Sequence, residues 1–357
     1  MNRCKILKDS VSPRGKRLTT YQIELPRQVL AEIVTHRMNS DTWLPDIAER
    51  TATPDISKNS ASSRAIPFAR MLHKVMTDPY IPEKFSANGP GMQATGYLEG
   101  RDHELAVETW MHARNTAVSQ AICLLSYADR LKLHDMPEPP LFEIRRIMSV
   151  PPRYPAPAPN PSISVHKQDI NRLLEPWGWV LQVVTATEWD NFFALRCDEA
   201  AAPAIRTIAR MMYVLREKST PERIEYGQWH LPYVDKPKSL VETQQSTWDS
   251  LCSVSAARCA WTSYWPTEGG SMDDAQKIQR TLMKLRNSKP LHASPFEHQA
   301  TPMYPDQNAD ESLRSNFKGW IQLRKVISKE VVSEYKPSAE TVAEWGITDE
   351  ILAKAGE

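Results

Sequence analysis

Prolines crowd the middle of this chain. From Met136 to Pro161 the sequence runs through MPEPP and then VPPRYPAPAPNP, and each proline fixes φ and removes a backbone donor. Such a stretch forbids a regular helix or a central strand, so it predicts an extended connector over the surface that splits the chain into two halves. The 357 residues suffice for one large domain or two ordinary ones. Hydrophobic residues at 41% and charged residues at 24% exclude wholesale disorder and fibrous repeats. The predicted segments are 1–136, the connector 137–163, a strand and helix segment 164–235, a further half 236–335, and a tail 336–357.

Lys+Arg 44 against Asp+Glu 43 leaves a net charge of +1. No bulk field therefore draws the chain onto nucleic acid or an anionic membrane, and any phosphate must be met by local arginines. No apolar run approaches the length of a membrane span, and the opening MNRCKILKDS lacks the apolar stretch of a secretory signal. The expectation is a cytoplasmic protein with no membrane partner. Five irregularly spaced cysteines fit neither a disulfide framework nor a CxxC metal pair, so they read as thiols. Only 12 glycines are present, and neither GxGxxG nor GxxxxGK[ST] occurs, which excludes a Rossmann or P-loop enzyme.

Along the chain, TTYQIEL at 19–25 alternates as a strand does, and Pro26 is suited to the first turn of a helix through RQVLAEIVTHRM. Val29, Leu30, Ile33 and Val34 form its stripe, with Arg37 continuing it. Residues 41–58 are rich in Pro, Asp and Thr and predict an insertion loop. A long amphipathic helix is predicted from Glu104 to Leu131, a strand in VLQVVTATEW, a short NFFALR segment, and a helix from near Asp198 with Pro203 in its first turns. Another helix is expected at 273–287. In NFKGWIQLRKVIS, residues Phe317, Trp320, Ile321 and Arg324 fall at helical spacing. An apolar stripe closed by arginine thus occurs twice, and internal duplication and coincidence both account for it.

Three clusters can carry chemistry. His36, Arg37, Ser40, Asn59, Ser62 and Arg64 combine arginine forks with short donors, as an anion site needs, although a solvated helix terminus would look the same. Asn171 and Arg172 precede the strand, and Asn191 and Arg196 follow it. Arg196 sits in apolar sequence and needs an anion, or an internal partner among Glu175, Glu188 and Asp190. The third cluster, His292, Ser294, Glu297 and His298, is interrupted by Pro295, which breaks the i, i+4 geometry of a helical zinc site. No metal is expected there.

Together these clusters resemble the flavin-dependent thymidylate synthase family. Ser294 to His298 is that family's Ser-Pro-Phe-Glu-His motif. Its histidine, arginine, serine and Asn-Glu-x-Ser-x-Arg pattern is similar to Thr35-His36-Arg37, Ser40 and Asn59 to Arg64, interrupted by 41–58. ARCAWTSY at 257–264 looks like its Ala-Arg-Val-Ser-Tyr segment, and Asn171 to Pro176 and Asn191 to Arg196 look like its later Asn-Arg steps. The order departs from the family's, because SPFEH lies near the C-terminus, so the resemblance is to a rearranged or duplicated variant.

The resemblance implies a mixed α+β fold, an antiparallel sheet with long packed helices, and reductive methylation at C5 of dUMP. FAD would be the cofactor, with methylenetetrahydrofolate and NADPH as co-substrates. Ser62, Arg64 and Arg172 would hold the nucleotide phosphate, and Arg196 would face the pyrimidine carbonyls and stabilise charge during hydride transfer, making Ser62, Arg64 and Arg196 the catalytic set. His36, Arg37, Ser40, Asn59, Asn191 and His298 would surround the flavin. Thr35, Thr187 and Ala200 stand where the family has cationic or histidine side chains, and Ser60 replaces a glutamate. Cytosine, a pyrimidine within DNA, or nucleotide binding without turnover are the alternatives. A homo-oligomer is implied, a dimer rather than a tetramer if the chain is duplicated.

Overall fold

The computed structural model describes residues 3–35, 56–60, 62–90, 94, 96–135, 140–149, 164–234, 251–263, 274–288, 291–313, 315–327, 336–346 and 348. In chain order the strands are β1 Arg3–Val11, β2 Arg17–Pro26, β3 Ile56–Ser60, β4 Trp179–Ala186, β5 Glu222–Arg223, β6 Ala300–Pro302 and β7 Trp320–Gln322. The helices are α1 Leu30–Thr35, α2 Phe68–Thr77, α3 Gly100–Cys123, α4 Tyr127–Lys132, α5 Pro140–Ser149, α6 Lys167–Ile170, α7 Asp190–Arg196, α8 Pro203–Lys218, α9 Leu251–Ala260, α10 Ala275–Asn287, α11 Leu323–Val326 and α12 Ala339–Glu344. None of the described helices is long and apolar enough to cross a membrane.

The main sheet has the order β3-β4-β2-β1-β5 and is antiparallel except for the β1–β5 pair. Paired residues point to the same face, so the register sorts the side chains. Tyr21, Ile23, Val184 and Ala186 face α7 and α8, where they join Trp189, Phe192, Ile205, Ile208 and Met212 in one apolar core. The Tyr21 ring meets the Trp189 ring edge-on at 5.1 Å. The opposite face carries Thr20 opposite Thr185 and Thr185 opposite Ser57, with Gln22 and Asn59 each opposite Val183. That face is polar yet buried, because the chain from 224 to 234, α9, and residues 294 to 327 cover it; Leu18 packs there on Ile224, Phe317 and Trp320. Burial without water requires these polar groups to find partners within the protein.

A second core, of helices, joins α2, α3, α5 and the 3-10 segment Asn171–Trp177. It connects to the sheet where Arg27 N–H donates to the Gly178 carbonyl and Tyr80 N–H to the Trp177 carbonyl, each at 2.9 Å.

Several expectations need correction. The proline-rich connector contains α5: Pro140 occupies the helix start, where a missing N–H costs nothing, and Leu141, Ile144 and Ile147 then bury a stripe. Its flanks, 136–139 and 150–163, lie outside the described residues. Of the expected insertion loop, 41–55 lies outside the described residues, and 56–58 is not loop, since Ile56 to Ser60 pair with β4 as an edge strand. The helix expected at Glu104 to Leu131 starts at Gly100 and is broken after Cys123, where Ser126 caps α4 by accepting from Asp129 N–H. The arginine-closed stripe at 317–324 is a strand, β7, running into the four-residue α11, because Trp320 to Gln322 pair with Ala300 to Pro302. Its likeness to the 27–38 stripe is one of spacing, not of structure. That earlier helix is described only to Thr35, after a 3-10 turn at Arg27–Val29.

Candidate active site

The turn after β3 carries Ser62 and Arg64, and its shape is fixed from a distance. Asn171, fully buried, donates from Nδ2 to the carbonyls of Ser63 and Ile66 at 2.8 and 2.9 Å. Within the turn, Ala65 N–H donates to the Ser62 carbonyl at 3.1 Å. The structure thus joins part of the first cluster to Asn171 of the second. Arg64 and Arg172 have exposed side chains beside that junction.

Next to the turn opens a cavity of about 730 Å³. Asn59, Ser60, Ser62 and Ala65 form one wall, and Ala260, Trp261 and α10 form the other. Asp274 starts α10 by accepting from Lys277 N–H at 3.0 Å, a cap that satisfies an orphan amide. No glycine or proline interrupts the helix, and Lys284 and Arg286 in its last turn suit the dipole. Lys277, Arg280, Thr281, Lys284 and Leu285 share one face by their spacing, and that face lines the cavity. Three cations against Asp274 make the wall electropositive. Thr281 accepts from the Trp261 indole at 2.7 Å, and Lys277 Nζ lies 5.0 Å from the centre of that ring. The helix is therefore docked through these polar contacts and through Leu285, which packs on the cluster of Cys252, Ala256, Phe296 and Leu323, and none of its residues is buried.

His292 and Pro295 form the floor. The SPFEH segment is a 3-10 turn over Ser294–Glu297. Arg324 Nη1 donates to the Glu297 carboxylate at 2.9 Å, and Gln322 Nε2 donates to the Glu297 carbonyl at 2.6 Å. Gln322 Nε2 also donates to Ser57 Oγ at 2.8 Å, which ties the turn to the polar face of the sheet. Glu297 is thus engaged by an arginine, and His298 points away from it into the interior. His298 is fully buried, with Nδ1 2.9 Å from Thr185 Oγ1. Burial disfavours its charged form and lowers its pKa to about 3.

The remaining residues of the resemblance are dispersed. Asn59 is on β3 and donates from Nδ2 to the Cys259 carbonyl at 2.8 Å. Arg196 and Asn191 belong to α7, on the other side of the sheet. There Arg196 Nη1 stands 3.9 Å from Glu32, while Glu175 pairs with Arg27 and Glu188 with Lys318. None of the expected internal partners serves Arg196, because α1 brings Glu32 to it first. Of the residues expected around a nucleotide, Ser62 lines the cavity, and Arg64, Arg172 and Arg196 do not. Of those expected around a flavin, Asn59 lines it, Asn191 and His298 do not, and His36, Arg37 and Ser40 lie outside the described residues. Thr187 Oγ1 accepts from Lys318 N–H at 3.4 Å, and Ala200 is exposed beside Asp198. Burial raises the thiol pKa of Cys4, Cys197 and Cys259, which keeps these three protonated at neutral pH.

Sequence reasoning missed the cations of α10. Their i, i+3, i+7 spacing lay in a helix already expected at 273–287, but nothing in the sequence pairs that helix with Ser62.

No protein-family model matches the chain, and no curated protein matches it. Among solved structures, the crystal structure of a UMP/dUMP methylase PolB from Streptomyces cacaoi bound with 5-Br UMP aligns over 61% of this chain and 89% of that chain, with 13% identity and a TM-score of 0.38.

Proposed function

We propose that this chain binds a pyrimidine nucleotide in the cavity between the Ser62 turn and α10 and methylates it at C5. The cationic face of α10 opposite Asn59 and Ser62 carries the binding part of this reading. Lys277, Arg280 and Lys284 neutralise a phosphate, and the Ser62 hydroxyl adds a short directional donor. With Nδ2 of Asn59 committed to the Cys259 carbonyl, its Oδ1 is the atom left to accept from a base N–H. The Trp261 indole, held by Thr281 at the same wall, supplies an aromatic side.

The methylation part rests on the motifs. Flavin, folate and NADPH use belongs to that resemblance alone. Of the residues that the resemblance assigns to a flavin, Asn59, Asn191 and His298 occupy the β3 edge, the far side of the sheet and the interior, and His36, Arg37 and Ser40 lie outside the described residues. What the cavity residues account for is binding and orientation of the nucleotide. Arg196, held beside Glu32 on the other side of the sheet, favours a second reading, nucleotide binding without turnover.

The test incubates the full chain with dUMP, dCMP or single-stranded DNA, together with methylenetetrahydrofolate, FAD and NADPH, and measures product mass while titration follows binding. A methylated dUMP supports the whole proposal, and methylated dCMP or DNA moves the acceptor. Binding without any product leaves the second reading. Failure of all three to bind overturns both.

A further inference from the structure

Five polar side chains that no step above uses form one continuous chain through the protein. Ser10 Oγ lies 2.9 Å from His230 Nδ1, and His230 Nε2 lies 2.8 Å from Thr20 Oγ1. Thr20 Oγ1 lies 2.8 Å from Thr185 Oγ1, which lies 2.9 Å from His298 Nδ1. All five residues are fully buried. The chain crosses β1, β2 and β4 on the polar face and ends at His298 Nε2, a buried nitrogen with no hydrogen-bond partner among the described residues.

Proton counting restricts what such a chain can do. A neutral imidazole has one N–H and one lone pair, and a hydroxyl has one proton to give. If every bond is made and no threonine proton is stranded, the protons all run in one direction or all in the other. In the first arrangement Ser10 donates to His230, His230 to Thr20, Thr20 to Thr185, and Thr185 to Nδ1 of His298, so Nε2 carries the ring proton. In the reverse arrangement His298 donates from Nδ1, its Nε2 is a bare lone pair, and the Ser10 proton is unused. Each arrangement therefore leaves one donor unmade, the His298 Nε2–H in the first and the Ser10 hydroxyl in the second. The first places the proton on Nε2 of both rings, the tautomer that a neutral histidine side chain prefers intrinsically, and the reverse places it on Nδ1 of both, so the first is favoured.

We propose that Ser10, His230, Thr20 and Thr185 are positioning residues that fix the tautomer of His298 and present its Nε2–H as a buried donor for an acceptor oxygen, a ligand carbonyl or a bound water. This role is independent of where the nucleotide sits. The state of a ring in the SPFEH segment then depends on a serine four hydrogen bonds away, without any shared cavity.

Nitrogen NMR of the full chain labelled with 15N-histidine reads tautomers directly. The expected result is a neutral His298 protonated at Nε2 and bare at Nδ1. Thr20→Val removes the central hydroxyl at nearly constant shape, and it should draw the two His298 nitrogen resonances toward each other as the tautomers mix. Thr20→Ser should restore the wild-type pattern, and Ser10→Ala should give a smaller change of the same sign. Circular dichroism melts verify that each variant is folded; if Thr20→Val does not fold, Ser10→Ala carries the test alone. A wild-type His298 protonated at Nδ1, or a spectrum that ignores both Thr20→Val and Ser10→Ala, overturns the proposal.

Discussion

Asn171 reaches back across more than a hundred residues of sequence to hold the carbonyl of Ser63 at 2.8 Å. The same nitrogen takes the Ile66 carbonyl, so one buried amide defines the turn on which Ser62 stands. The turn's own bonds are short, Ala65 N–H to the Ser62 carbonyl and Ile66 N–H to the Ser63 carbonyl, and Lys167 Nζ adds another long-range support at the Ala65 carbonyl, 3.2 Å away.

Replacing Asn171 by alanine is therefore expected to take its side-chain donor from the buried Ile66 carbonyl and leave the Ser63 carbonyl only the 3.3 Å bond from Ile66 N–H. The loss should be about 1–3 kcal/mol, the usual cost of an unsatisfied buried group, read as a lower urea midpoint. Nucleotide affinity should fall as well, because Ser62 loses its support. Asn171→Asp, isosteric but unable to donate from that position, should behave like alanine; recovery by Asp would contradict the role given to Nδ2.

The α10 cations are expected to act on binding and not on folding. Lys277→Gln, Arg280→Gln and Lys284→Gln should each weaken dUMP binding roughly 10–100-fold, as for loss of one charged hydrogen bond, while the melting temperature stays nearly constant because no α10 residue is buried. The effect should shrink at high salt and be absent for uncharged deoxyuridine. Titrations at two ionic strengths check all three statements.

The sequence exposes this fold unevenly, and the reasons are physical. Strands β2 and β4 and helices α8 and α10 were legible because alternation, a Pro203 start and an unbroken run without glycine or proline are local signals, whereas NFFALR gave no helix signal and folds as α7. The failures were tertiary. Trp320 and Ile321 have helical spacing from Phe317, but pairing with β6 imposes a strand. The prolines around α5 obscured that Pro140 begins a helix. At the site, the motif residues were visible and their company was not. His298 announces itself in SPFEH, whereas Thr20, Thr185 and His230 become its partners only through strand register.

Asp9 and Arg17 offer a test of the sheet edge. The Asp9 carboxylate accepts from Arg17 Nε and Nη2 at 3.0 and 2.6 Å, from Thr19 Oγ1 at 3.0 Å and from Ser219 Oγ at 2.7 Å. Arg17 Nη2 also donates to the Arg216 carbonyl at 2.8 Å, so this network fastens the end of α8 to β1 and β2. Breaking a largely buried pair by removing one partner costs about 3–5 kcal/mol. Asp9→Ala is expected near the lower bound of that range, since Arg17 is partly exposed and keeps its carbonyl partners. Urea denaturation of Asp9→Ala and the Asp9→Ala/Arg17→Met pair checks this; the double variant should recover part of the loss.

Acid should destabilise the protein well before its carboxylates titrate. Burial lowers the pKa of His298 to about 3 and that of His230 well below its ordinary value. In the unfolded chain both imidazoles bind a proton near pH 6.5. Between that pH and the folded-state values the unfolded state holds more protons, so stability is complete above about pH 6.5 and declines as pH falls. For His298 the slope is about 1.4 kcal/mol per pH unit within that window, or about 2 kcal/mol between pH 7.5 and pH 5, and His230 contributes in the same direction. The hydrogen-bond chain explains why neither ring relieves this by charging in place: each bonded nitrogen faces a hydroxyl that is itself committed, and among the described residues no carboxylate is bonded to either ring. Urea midpoints measured at intervals from pH 8 to pH 5 should therefore fall steadily below pH 6.5, and His230→Gln, though less stable at pH 7.5, should show a shallower slope than the wild type. A wild-type stability that holds level across that range would mean that the two rings charge inside the folded protein.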